Sequence, residues 1–183
     1  MGTGTAEMDG PHWAFSLAVY GREGVPGACL QLQDGVGLDV NVLLLALFFA
    51  GTRNGAIATE AVAAADVEIA TWRTEVVVAL RRLRILLKDG PPGAPRPATI
   101  ELRTGIKNAE LSAEQIEQAW LAGWFADHLG EGRLATTPDD FGAVARRVAG
   151  YYAGHEVSGM APDLVVAADL IAHAAWQKLA EKA

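Results

Sequence analysis

The sequence predicts an all-α fold: a compact bundle of about six helices with one long central helix. Three observations carry the prediction. Apolar residues recur at steps of three and four over much of the chain, which lays them along one face of a helix. Hydrophobic residues make up 51% of the chain but aromatics only 7%, so small and aliphatic side chains dominate the core and let helices approach closely. Capping residues stand ahead of several periodic segments, and Gly and Pro stand behind them. A chain of 183 residues suffices for one domain with its own core, with no need of disulfide or metal.

Residues 1–11 read as a flexible tail, and 12–183 as a single helical domain. His12 to Tyr20 opens a short helix that Gly21 and Gly24 end, and Val25 to Gln33 gives a second short apolar segment, with the Gly-rich turn Asp34-Gly35-Val36-Gly37 behind it. Asp39 is placed to cap the next helix by accepting a backbone N–H two or three residues on. Val40 to Ala50 is apolar almost all round and Leu-rich, which predicts a buried helix rather than a strand.

After the break at Gly51 to Gly55, Ile57 to Lys88 contains neither Pro nor Gly and predicts one long helix, with room for a bend. Val62, Ala65, Ile69, Trp72, Val76, Leu80, Leu83 and Leu87 form its apolar stripe. The β-branched run Val76-Val77-Val78 weakens it locally. Asp89-Gly90-Pro91-Pro92 stops it, and the Pro-rich stretch 90–97 reads as a loop within the domain. Ser112 and Gln115 suggest a capping box for a helix from Ser112 to Leu129, with Ile116, Trp120, Trp124 and His128 on one side. Thr137-Pro138-Asp139-Asp140 starts a helix reaching about Tyr152. A last helix spans Pro162 to about Ala180, with Leu164, Ala168, Ile171, Ala175 and Leu179 facing the core.

The net charge of −7 disfavours broad association with nucleic acid or an anionic membrane. It conceals a segregation: residues 1–71 carry −6, residues 72–107 carry +5 and residues 108–183 carry −6. Within the basic block, Arg81, Arg84 and Lys88 share a broad helix face, with Arg82 beside them. Three readings compete. The bases pair with the acidic flanks near a helix C-terminus, they meet an acidic protein partner, or they bind a phosphorylated ligand or nucleic acid. Nucleic acid is the weakest, because few bases cluster and no aromatics are interleaved for stacking.

The first ten residues lack the basic and apolar regions of a secretory signal, and the longest apolar run, Val42 to Ala50, is nine residues. With the single Cys29, this predicts a soluble cytoplasmic protein with no membrane association. No catalytic, metal or cofactor motif is complete. His12, His128, His155 and His173 form no H-E-x-x-H pair, Ser16 lacks a nucleophile elbow, and no phosphate-binding glycine loop occurs. Cys29 reads as a buried small hydrophobe. Trp13, Phe15, Tyr20, Trp120, Trp124 and Phe125 read first as core, with a partner surface or a ligand groove as alternatives. Asp34, Asp39 and Asn41 crowd an apolar region. Their spacing fails for a calcium loop, leaving helix capping ahead of a polar pocket.

Three blocks also carry a resemblance. The first comprises Trp13-x-Phe15-Ser16-Leu17, Leu32-Gln33-Asp34 and Gly37-x-Asp39-Val40-Asn41-x-Leu43-Leu44-Leu45. The second is Trp72-Arg73-x-x-Val76-Val77-x-x-Leu80-Arg81 with Arg84, Leu87 and Lys88, and the third is Ile106-Lys107-x-x-Glu110-Leu111. Together they resemble, over roughly residues 12–130, an uncharacterised family of small helical proteobacterial proteins, a domain of unknown function. The chain departs from the family at Ala79 and Ile85, where Pro and Arg are usual. The resemblance implies a bacterial, cytoplasmic, all-helical protein, and it draws attention to Gln33, Asp34, Asp39, Asn41 and Arg81. It implies no reaction.

The leading functional expectation is a non-enzymatic helical module that binds a protein partner or itself, with Arg81, Arg84 and Lys88 as its basic face. The rival is a small enzyme or sensor holding an anionic small molecule through Gln33, Asp34, Asp39, Asn41 and Arg81. A weak nucleic-acid binder using the basic block comes third. No metal or cofactor is expected.

Overall fold

A computed structural model describes residues 7–154 and 159–181. The fold is all-α. The first helices are α1 (Pro11–Tyr20), α2 (Val25–Val36), α3 (Val40–Thr52) and α4 (Thr59–Trp72). A π-helical turn over Arg73–Val77 joins α4 directly to α5 (Val78–Asp89). Then come α6 (Arg96–His128), α7 (Pro138–Ala153) and α8 (Pro162–Ala180).

Local signals account for several boundaries. Asp39 caps α3 as expected, its Oδ1 accepting the backbone N–H of Asn41 at 2.8 Å. Thr137 and Asp140 form a reciprocal capping box on α7. Gly37 ends α2 at φ 68°, a left-handed conformation that a side chain would strain. Helix α3 is the centre of the bundle. Val42 through Leu47, Phe49 and Ala50 are buried, with α1, α4, α6, α7 and α8 around them. Phe49 stacks on Phe125 of α6 at 5.4 Å. The tightest seam lies between α7 and α8, where Ala145, Val148 and Ala149 meet a run of alanines with Ile171. Small side chains let these backbones approach and bury most of their surface.

Two expectations need correction. The longest helix is α6, with 33 residues, and not the segment beginning at Ile57. It starts at Arg96 and not at Ser112, with Pro97 in its first turn. Ser112 lies inside the helix and donates its hydroxyl to the Asn108 carbonyl, while Gln115 donates to the Met8 carbonyl and to Asp9. No capping box exists there. The helix runs through Gly105 although glycine costs about 1 kcal/mol relative to alanine in a helix interior.

The predicted 57–88 helix is continuous from Thr59 to Asp89, but the π turn shifts its facing. Val62, Ala65 and Ile69 are buried as the stripe requires; within the turn Val77, not Val76, is buried, and beyond it Leu83 is exposed while Leu87 is buried. The wider turn places one extra residue in the helix and rotates the whole of α5 relative to α4. Among the described residues no single helix is long and apolar enough to cross a membrane. Helices α2 and α3 together are apolar enough, but they meet at 119° and α3 is core.

Candidate functional site

The π turn aims Arg73 into a buried polar network. Arg73 Nη1 donates to Asp39 Oδ2 at 3.0 Å and also to Asp66 Oδ1. Asp66, on α4, accepts from both tyrosines at the end of α7: Tyr152 to Oδ1 at 2.6 Å and Tyr151 to Oδ2 at 3.0 Å. Four segments, α3, α4, the π turn and α7, are tied through one guanidinium. Burial opposes the Arg73 charge, but Asp39 and Asp66 overcome it and raise its pKa. Burial, and after it the charge of Asp39, also raises the Tyr152 phenol well above its usual range, so it remains a donor.

A third carboxyl group joins from α6. Glu117 is fully buried, and neither of its oxygens meets a donor at good hydrogen-bonding geometry. Its neighbours are the Asp39 carboxylate and the Asn41 amide. Burial first, and Asp39 second, push its pKa far above the carboxylate range. Glu117 is therefore held as a neutral acid at pH 7 beside the Asp39 carboxylate. The adjacent Gln118 donates to Asn41 Oδ1 at 2.9 Å. Asn41 thus bonds across to α6 as well as standing in its own first turn.

A second network lies on the other side of the π turn. Arg81 Nε donates to Glu110 Oε1 at 3.0 Å and its Nη2 to Glu114 Oε1 at 2.7 Å; Arg84 forks onto both oxygens of Glu110. Burial opposes ionisation of Glu110, but the hydrogen bonds from Arg84 and Arg81 prevail and hold its pKa low. Beyond these pairs, α5 and the first half of α6 form a two-helix arm. From Val78 to Ala109, Leu87 alone is buried among 32 residues.

The predicted site residues therefore divide. Asp39 and Asn41 meet in the buried network, where the arginine is Arg73 and not Arg81. Arg81 and Arg84 belong to the arm network, and Lys88 is exposed on the same helix. Gln33 is half-buried and Asp34 exposed, and neither side chain has a hydrogen bond among those described. Cys29 is buried, with its thiol pushed up to about 12 by that burial. Phe15 and Phe125 are core, whereas Trp120 stands 44% exposed. His12 is buried, His128 stacks on Trp124, His173 bonds Gln177, and His155 lies outside the described residues.

Asp66, Glu117, Tyr151 and Tyr152 were not singled out by sequence reasoning, and Arg73 only as part of the Trp72-Arg73 motif at the start of the basic block. Glu117 did leave a signal: it occupies the inward row of α6 between Ala113 and Leu121, where an apolar residue belongs. No group of three or more His, Cys, Asp or Glu among the described residues is placed to hold a metal ion. An open surface depression lined by Phe49, Thr52, Arg53, Glu131, Gly132 and Leu134 contains none of the network residues.

No curated protein and no solved structure matches the chain. A family model described as a protein of unknown function, DUF2390, matches residues 11–121, from the start of α1 through the Glu110–Gln118 stretch of α6. That span includes Asp39, Arg73, Arg81, Arg84 and Glu117, and the chain belongs to this family of unknown function.

Proposed function

We propose that the chain is a non-enzymatic, bacterial, cytoplasmic binding protein that takes a protein partner on the arm formed by α5 and the first half of α6. One observation carries the reading. Leu86, Ile85 and Ile100 are 59%, 58% and 56% exposed on an arm that buries almost nothing, while the rest of the chain packs an extensive core. Exposed aliphatic side chains on a helix pair that also exposes Arg82, Lys88 and Lys107 suit a protein interface, which combines apolar contact with charge. The non-enzymatic part is supported by Asp39, Asp66, Arg73, Tyr151 and Tyr152, whose hydrogen bonds are spent on one another. The proteobacterial and cytoplasmic part rests on the three motif blocks.

The test is affinity capture of the tagged full chain expressed in a proteobacterial cell, beside a Leu86→Glu/Ile100→Glu variant. Both substituted positions are solvent-facing, so the variant is expected to keep wild-type helicity by circular dichroism. A specific protein retained by the wild type and reduced at least tenfold in the variant supports the reading. An identical retained set sinks it.

A further inference from the structure

The pair of α5 and α6 has two sides, and the ion pair between Arg81 and Glu114 marks one of them. Steps of three, four and seven return to the same side of a helix. From Arg81 they lead to Ile85 and Lys88, and from Glu114 back to Leu111, Lys107, Ile100 and Arg96. All six are exposed, Ile85, Ile100 and Leu111 by 58%, 56% and 48%. The opposite side, through Leu83, Leu102 and Ala109, presents aliphatic residues without a charge. From Arg96 to Leu111 the mixed side is about 23 Å long at the rise of an α-helix. The phenol of Tyr20, 46% exposed, lies near Glu114 and Arg81 at its body end.

The cations on this side are not spent within the chain. Arg81 and Arg84 are held by Glu110 and Glu114, whereas Lys88, Arg96 and Lys107 enter no ion pair among the described residues. Residues 78–109 carry +5 with Asp89 and Glu101 included, and the rest of the chain carries −12. A covering surface must therefore bring apolar groups to three aliphatic side chains and negative charge to three cations. An anionic bilayer offers both, but it also draws the strongly acidic body toward its own negative surface. Single-stranded nucleic acid finds phosphate partners here but no aromatic platform among Ile85, Ile100 and Leu111 on which to stack a base. An amphipathic helix with acidic flanks meets both demands, lying in the groove between α5 and α6 as a third helix.

We propose that the arm's partner is an acidic amphipathic helix of another protein, seated on the side of Ile85, Ile100 and Leu111 with its carboxylates on Lys88, Arg96 and Lys107. The inference rests on the arm being the partner surface and adds the side used and the charge of what binds. The probe is a dye-labelled peptide of about four helical turns, matching that length, with leucine at i, i+3, i+4 and i+7 spacing and glutamate elsewhere. A control peptide carries glutamine in place of glutamate. In fluorescence anisotropy with the full chain at low salt, the glutamate peptide should bind at least tenfold more tightly than the control, and added salt should narrow the gap. Lys88→Glu/Lys107→Glu should abolish that preference with helicity unchanged, since both side chains are exposed. Arg82→Glu, on the outer side of α5, should weaken binding less than twofold. Equal affinity for the two peptides, an undiminished preference in the double variant, or a matching loss in Arg82→Glu overturns the proposal. So does tighter binding to phosphatidylglycerol vesicles or to oligouridylate than to the glutamate peptide. The two readings of the arm fail separately. If Leu86→Glu/Ile100→Glu releases the captured cellular partner while Lys88→Glu/Lys107→Glu retains it, the arm binds protein without these cations, and this inference alone is overturned.

Discussion

The π turn divides two arginine–carboxylate networks that use the same chemistry in different surroundings. On one side Arg73 meets Asp39 and Asp66 at the edge of the core, beside a fully buried Glu117. On the other, Arg81 and Arg84 meet Glu110 and Glu114 where α5 lies on α6, with the arginines about 30% exposed. In the first, water replaces a lost partner poorly. In the second, Glu110 is as buried as Asp39, but two arginines hold it, so the remaining one compensates when the other is lost. Equivalent ion pairs therefore differ in what they do: the Arg73 network specifies how four segments meet, and the Arg81–Arg84 network aligns an arm that makes few other contacts.

The largest expected effect comes from Arg73→Met. It removes the cation between Asp39 and Asp66 and leaves two carboxylates in or near the core. Breaking a buried pair from one side costs about 3–5 kcal/mol. Urea unfolding should report a loss of that size, and a loss under about 1 kcal/mol would remove the distinction between the two networks. Next is Leu87→Ala, which empties the one buried position of the arm and should cost about 2 kcal/mol, the low end for such truncations. Leu86→Ala, one residue away and exposed, should change stability by less than about 0.5 kcal/mol.

Glu117 gives a pH-dependent version of the same contrast. Its carboxyl group keeps its proton in the folded state but releases it above the ordinary value of 4.5 when unfolded. The unfolded state then binds fewer protons, so this group makes stability fall as pH rises above that value, until the folded protein also releases the proton. Glu117→Gln keeps a neutral polar side chain of the same shape beside Asp39 without an ionisable proton. Between about pH 5 and about pH 8, above the ordinary carboxylate range, its urea midpoint should decline less than that of the wild type. Parallel slopes would show that Glu117 is already ionised in the fold. The smallest effect is expected from Arg84→Ala, at about 1 kcal/mol or less, because Arg81 still holds Glu110. A cost matching that of Arg73→Met would place both networks in the same dry environment.

Much of the architecture was legible from local signals. The Asp39 and Thr137 caps, the stop after Asp89, and the burial of the Leu-rich α3 each depend on residues within one or two turns. Segregated charge was equally visible, and it foreshadowed the arm. The capping pattern at Ser112 misled for a local reason: it is a genuine start signal that a long helix overrides when its inward face is anchored by packing. The π turn left only the faint trace of Val76-Val77-Val78.

The sequence by itself determined which segments are helical apart from residues 96–111, where most of them begin and end, and that basic and acidic stretches alternate, because caps, periodicity and charge act over a few residues. Only the tertiary structure decided that Arg73 rather than Arg81 reaches Asp39, that Glu117 is sealed beside it, and that Trp120 faces outward. Those outcomes join residues 34 or more positions apart, and helix packing, including the one-residue rotation at the π turn, sets which side chains share a space too dry to leave a charge alone.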